Sequence, residues 1–275
     1  MFADDTKIWR GVRRQEDSIG LQEDLNRLME WSRKWLLRFN PEKCKVMHVG
    51  LCHGVDSEYT MTDSGRTWKL LSISEEKDLG VYITADLKPS LQCSKAAAKA
   101  TAVLGLVRRH FKNLDKEDFL LLYNAYVRPQ MEYCVQAWSP GLVRDIQCLE
   151  RVQRRATKLV RGMRNKSYED RLKALGMNSH EKRRLRGDLI ETYKILTGKE
   201  KIDMEGFFQF ADRDHGLRGH GLKLFVQRAR TETRRRFFSH RVVSEWNRLP
   251  QRVVEATSTN CFKNRLDSYW KDMGN

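Results

Sequence analysis

The chain has 275 residues and a net charge of +16 at pH 7, with apolar residues at 40% and charged residues at 32%. That is room for one large domain or two small ones, at roughly 100–200 residues each. No apolar run approaches the ~18–20 residues of a membrane span, and the acidic start Met1-Phe2-Ala3-Asp4-Asp5 lacks the character of a signal peptide, so neither an integral membrane protein nor a secreted one is expected.

Residues 1–9 read as the end of a strand, an acidic turn, and a short strand at Thr6-Lys7-Ile8-Trp9. Residues 18–39 read as a helix. Leu21, Leu25, Leu28, Trp35, Leu36 and Phe39 form its apolar stripe, Asp17 or Ser18 caps its start, and Asn40-Pro41 ends it. Lys45 to Gly50 alternates like an edge strand. Trp68 to Ile73 and Leu79 to Ile83 are further strands, separated by a charged turn over Ser74 to Asp78. From Pro89 the pattern turns helical. Helices are expected over 90–112, over 116–137 with an interruption near Pro129, and over 143–162. Shorter ones follow at about 167–175, 179–197 and 231–247, with a glycine-bearing loop from Asp212 to Gly221. The fold class is therefore α+β and mostly helical: a small sheet with one long helix, then an all-helical basic region, with the break near residue 88.

Six cysteines are scattered, with no Cys-x-x-Cys pair. Reduced thiols in an intracellular protein, nuclear or cytoplasmic, are expected, with no disulfide-linked partner. Cys44 with Cys52-His53 is a faint metal candidate that lacks finger-like spacing.

The charge is unevenly distributed. Residues 1–140 hold 21 Lys+Arg against 19 Asp+Glu, a net +2, whereas residues 141–275 hold 31 against 17, a net +14. Such asymmetry points to a polyanionic partner. At about 100° per residue, Ile146, Leu149, Val152, Ala156, Leu159 and Val160 share one face of the 143–162 helix. Arg151, Arg154, Arg155, Lys158 and Arg161 share the other, and lone acids such as Glu150 dilute the row only slightly. A cation row can track a phosphate backbone; the alternative is a solvated helix face. Arg234-Arg235-Arg236-Phe237-Phe238 sets cations beside aromatics that either stack bases or belong to the core.

Two adjacent carboxylates on a turn can hold Mg²⁺ together with substrate phosphates. Phe2-Ala3-Asp4-Asp5 resembles the Phe/Tyr-Ala-Asp-Asp turn of reverse transcriptases of non-LTR retrotransposons, the LINE and jockey-like elements. The order downstream resembles that family too. Trp31 to Lys45 is similar to the next palm motif, and Lys77-Asp78-Leu79-Gly80-Val81 to the Leu-Gly-Val primer-grip turn. Tyr123 to Pro129, Tyr133, Trp138 and Leu149 to Ala156 are similar to the thumb. Phe237 to Val243 and Trp246 to Pro250 are similar to the C-terminal end of these polyproteins.

The resemblance implies a truncated palm over 1–88, a thumb-like helical domain over 89–165 and a basic helical region over 166–275. Asp4 and Asp5 would be catalytic, metal-binding carboxylates, with Mg²⁺ as cofactor. Lys43 would be the general acid toward pyrophosphate, or else a solvated lysine after a helix. Gly80 would admit the primer backbone, or simply make a turn. Gly80 and the row Arg151, Arg154, Arg155, Lys158 and Arg161 would touch an RNA or DNA primer–template. The family's first catalytic aspartate and its fingers precede the Asp-Asp turn, so this chain alone is expected to be inactive as an RNA-directed DNA polymerase. The alternatives are a non-catalytic RNA- or DNA-binding helical module, or a translated relic without function.

Overall fold

The computed structural model describes residues 6–50, 57–211 and 219–273. The chain divides into two compact units, residues 1–88 and 89–275. About half of it is helical, and strands pair only two at a time.

In the first unit, helix α1 (Gln15–Lys34) packs on the hairpin of β2 (Thr60–Asp63) and β3 (Arg66–Lys69). Leu25 and Met29 bury against Tyr59, Met61 and Leu70, with Phe39 at the margin. Gln22 fixes the docking: it donates to the Thr60 carbonyl at 2.8 Å and accepts from the Thr60 N–H at 2.9 Å. The helix starts earlier than the apolar stripe suggests. Asp17 lies in its first turn and reaches back to the N–H groups of Arg13 (2.8 Å) and Arg14 (3.0 Å), which hold its carboxyl below the usual range. The helix also stops earlier, at Lys34. The N–H of Leu37 returns to the Ser32 carbonyl and that of Leu36 to Arg33, a Schellman closure with Leu36 left-handed at φ 57°. Trp35 and Leu36 thus leave the expected stripe and face solvent, at 60% and 82% exposure.

The strand expected at Thr6 to Trp9 is absent: no described strand pairs with this segment, and Trp9 is 90% exposed. The edge strand shrinks to β1 (Lys45–Val46), parallel to β4 (Leu71–Ser72). The charged segment expected to turn is instead β5 (Glu75–Asp78), antiparallel to β6 (Val81–Thr84). The turn falls at Leu79-Gly80, both at positive φ (44° and 87°), the I′ geometry that matches strand twist. Gly80 supplies the conformation such a turn requires. Two of the four charges of β5 are paired: Lys45 donates to Glu76 at 2.6 Å, and Lys7 pairs with Asp78.

In the second unit, α2 (Ser90–His110) packs along α5 (Val143–Ala156). The Ser90 hydroxyl donates to Asp145 at 2.6 Å at their N-terminal ends. Just beyond their C-terminal ends, a parallel bridge joins Leu114 to Val160. The two helices therefore run in the same direction. The interruption near Pro129 takes a specific form. α3 (Lys116–Leu122) widens into a π-turn over Tyr123–Val127 before α4 (Arg128–Glu132). Proline cannot donate and crowds the carbonyl four residues back, and the wider turn accommodates both.

Helices α6 (Tyr168–Leu175) and α7 (His180–Leu196) start on Ser167 and Ser179, whose hydroxyls cap the first turns. The expected 231–247 helix is broken into α8 (Glu232–Arg235), α9 (Phe238–Arg241) and α10 (Val243–Asn247). α11 (Gln251–Val254) and α12 (Thr259–Met273) complete the chain. Their core centres on Tyr193, Trp246 and Phe262, with the Tyr193 and Phe262 rings stacked 4.4 Å apart. The glycine-bearing loop expected at 212–221 lies mostly outside the described residues.

Candidate nucleic-acid interface

The geometry of α5 separates its two faces completely. Leu149, Val152 and Ala156 are buried, and so are the polar Glu150 and Gln153. Arg151, Arg154, Arg155 and Lys158 are exposed at i, i+3, i+4 and i+7, with Arg144 and Gln147 continuing the stripe toward the N-terminus. At 1.5 Å per residue the stripe from Arg144 to Lys158 is about 20 Å long. The helix ends at Ala156 rather than 162. Thr157–Leu159 forms one 3₁₀ turn, and Arg161 is exposed beyond it.

Glu150 does not dilute the row: it points inward. Its carboxylate accepts from the Tyr168 hydroxyl and, at 3.1 Å, from the His180 N–H at the start of α7. Negative charge is favoured at a helix N-terminus. Gln153 donates to the Asn178 carbonyl (2.9 Å) and to the Tyr168 hydroxyl (3.0 Å), which fixes its amide orientation. Its oxygen then takes the proton of Tyr123 at 2.7 Å. The Tyr123 oxygen is left to accept from His180 Nε2 at 3.1 Å. The hydrogen bonds close into a ring through His180, Tyr123, Gln153, Tyr168 and Glu150, tying α5 to the π-turn, α6 and α7. Burial pushes His180 down to about 3, helped by Arg184, Arg183 and Arg128, so the imidazole is neutral. Its 3.8 Å approach to Glu132 is therefore not an ion pair. Burial likewise pushes the Tyr123 and Tyr168 hydroxyls up. Among the described residues His180 Nδ1 has no hydrogen-bond partner, but the paired atoms of this buried network hold α5 in one orientation.

Other cations of this unit are committed to the fold. Arg183 forks onto Glu132 at 2.5 and 3.0 Å, Arg186 onto Asp267 at 2.7 and 2.8 Å, and Arg241 onto Asp188 at 2.9 Å. Arg171 is buried at the end of α5, where it donates to Thr157 at 2.9 Å and to the Lys166 carbonyl at 2.5 Å. By contrast, Arg151, Arg154, Arg155, Lys158 and Arg161 form no ion pair among the described residues; Arg154 lies over the Tyr168 ring at 4.6 Å. The Leu114–Val160 bridge adds a second source of charge. It sets exposed Arg108, Arg109, Lys112 and Lys116, near the end of α2, beside the segment carrying Lys158 and Arg161. These four form no ion pair among the described residues either. Residues 89–275 hold 38 Lys+Arg against 21 Asp+Glu, a net +17, and residues 1–88 hold 14 against 15.

Among the remaining expected site residues, Lys43 is exposed in the turn after α1 and Gly80 sits in the β5–β6 turn. Both belong to the first unit. Asp4 and Asp5 lie outside the described residues, as do Cys52 and His53. Among the described residues no group of three or more His, Cys, Asp or Glu side chains could hold a metal ion. Of the two adjacent phenylalanines, Phe238 is core, whereas Phe237 is exposed beneath Arg234 at 5.3 Å. The sequence reading missed Arg144 and Gln147, which share the 3–4 spacing of the row, and the α2-end cations, which only the bridge brings in. The five described cysteines are free, and no described helix is long and apolar enough to cross a membrane. No family model, curated protein or solved structure matches the chain.

Proposed function

We propose that this chain is part of an RNA-directed DNA polymerase of the non-LTR retrotransposon kind, and that its helical unit holds an RNA or DNA primer–template by the phosphate backbone. The motif order supports the polymerase assignment. One structural observation carries the binding role: the exposed α5 row stands without acidic partners on a helix whose other face is locked by a buried hydrogen-bond ring. Arg183, Arg186 and Arg241 are paired with carboxylates inside this unit, whereas among the described residues the exposed row is not, so the row is free to meet an external anion. On this reading Arg151, Arg154, Arg155, Lys158 and Arg161 contact phosphates, and contacts to phosphates position without reading sequence.

The test is duplex binding by fluorescence anisotropy across a range of salt. Each phosphate neutralised contributes about 0.9 to the slope of log K against log salt. Replacing Arg151, Arg154 and Arg155 by Ala is expected to reduce that slope by about 2–3 while the far-ultraviolet dichroism stays unchanged. A flat salt response in the unaltered protein overturns the reading.

A further inference from the structure

A second feature of the helical unit is lined by no residue of α5. A pocket of about 290 Å³ opens between α7, α10 and α12, lined by Lys182, Leu189, Glu245, Arg248, Leu249, Tyr269 and Trp270. Its floor is apolar: Leu189 and Leu249 are buried, part of the core under α12. Its walls are two half-buried aromatic rings from successive residues of α12. Its rim carries two cations. Lys182 forms no ion pair among the described residues and rests its ammonium over the Trp270 ring at 5.3 Å. Arg248 is exposed and meets Glu245 at 2.6 Å.

We propose that this pocket takes one unstacked nucleobase of a single-stranded nucleic acid, with Lys182 and Arg248 on the flanking phosphates. The volume is at the small end for a ligand site and suits a single ring system rather than an extended molecule. Flat aromatic walls over an apolar floor match the π-face of a base, whose edge stays polar. A base stacked on an aromatic side chain is worth more than an ammonium over a half-exposed ring. The base therefore displaces Lys182 from Trp270, and the flexible lysine stem carries the charge to the phosphate. Glu245 keeps lone pairs beyond those used by Arg248 and can accept from an exocyclic amine, which favours cytosine or adenine over thymine. The inference rests on the nucleic-acid reading above, but it concerns single strands and different residues.

The experiment uses the full chain and two ten-nucleotide DNA strands, one all-dC and one with a central run of abasic sites, compared by anisotropy. The all-dC strand is expected to bind about tenfold more tightly, the difference one good base stack supplies. Tyr269→Ala with Trp270→Ala, or Lys182→Ala with Arg248→Ala where the aromatic pair fails to fold, is expected to shrink that ratio toward one. A strand carrying 5-bromodeoxycytidine is expected to photocrosslink to Tyr269 or Trp270. Equal binding of the two strands, or crosslinks confined to other residues such as Phe237, overturns the pocket. If the two strands bind equally while strands and duplex alike show a steep salt slope that the α5 substitutions reduce, the pocket alone has failed. If neither binds, the nucleic-acid reading has failed with it.

Discussion

The two units solve the same folding problem with different quality of local agreement. Among the described residues, 35 buried apolar side chains belong to the helical unit and six to residues 1–88, yet the two units expose nearly equal numbers of large apolar side chains. Among the described residues, four of the five non-glycine residues at positive φ, Leu36, Ser64, Leu79 and Leu87, are in the first unit. There the backbone is bent by turns whose residues resist them. In the helical unit, local preference and packing agree: serines start α6 and α7, and glycines follow their ends. Consistency across levels is what gives a fold its stability gap. The helical unit is therefore expected to unfold last and cooperatively, and residues 1–88 at lower denaturant.

The largest effect is expected from breaking the hydrogen-bond ring. Glu150→Ala strands the Tyr168 hydroxyl and the His180 N–H in the interior. The cost is about 3 kcal/mol, since each buried unpaired group costs about 1–3 kcal/mol. Urea unfolding followed at two wavelengths separates the units; only the later transition should move. A shift of the earlier transition alone would place the ring's role elsewhere.

Acid sharpens the same contrast. His180 titrates near 6.5 when unfolded and near 3 when folded. The unfolded chain therefore binds the extra proton between those values. The stability this neutral imidazole provides is complete above pH 6.5 and is lost as pH falls toward 3, by up to about 1.4 kcal/mol per pH unit. His180→Gln keeps a donor for Tyr123 and removes that slope. Between pH 6.5 and 5, before most carboxylates titrate, the difference between the two proteins isolates the histidine. A parallel pair of stability curves would mean that His180 is charged in the fold.

How much was legible in the sequence follows the same division. The helices of the second unit carry 3.6-residue patterns and caps, and the cation row of α5 was readable from spacing alone. The inward turn of Glu150 was not, because its partners Tyr168 and His180 lie 18 and 30 residues away. α12 was legible but unread: Phe262, Leu266, Tyr269 and Trp270 recur at helical spacing after Ser258. In the first unit, β5 has no apolar alternation, since Glu75, Glu76, Lys77 and Asp78 are all charged, and only its pairing with β6 makes it a strand. The Ser64-Gly65 dipeptide between β2 and β3 was a usable hairpin signal. Leu36 gave no warning at all, because leucine favours continuing a helix.

That residue yields the smallest effect and the cleanest comparison. α1 and α6 end in the same Schellman closure. At α6 the left-handed position is Gly176, φ 68°, with Met177 N–H returning to Leu172 and Gly176 N–H to Lys173. At α1 it is Leu36, φ 57°. A side chain in that conformation costs about 1–2 kcal/mol, and glycine's extra freedom when unfolded returns about 0.5–1 kcal/mol of that. Leu36 is mostly solvated, so little burial is lost with it. Leu36→Gly is therefore expected to raise the stability of the first unit by about 0.5–1 kcal/mol. Gly176→Ala should lower that of the second by about 1 kcal/mol. Each substitution should shift only its own unit's transition. A loss of stability in Leu36→Gly would mean that the leucine side chain packs on Met29 and Phe39 strongly enough to outweigh the backbone, and that the local disagreement in this unit is compensated by tertiary contacts.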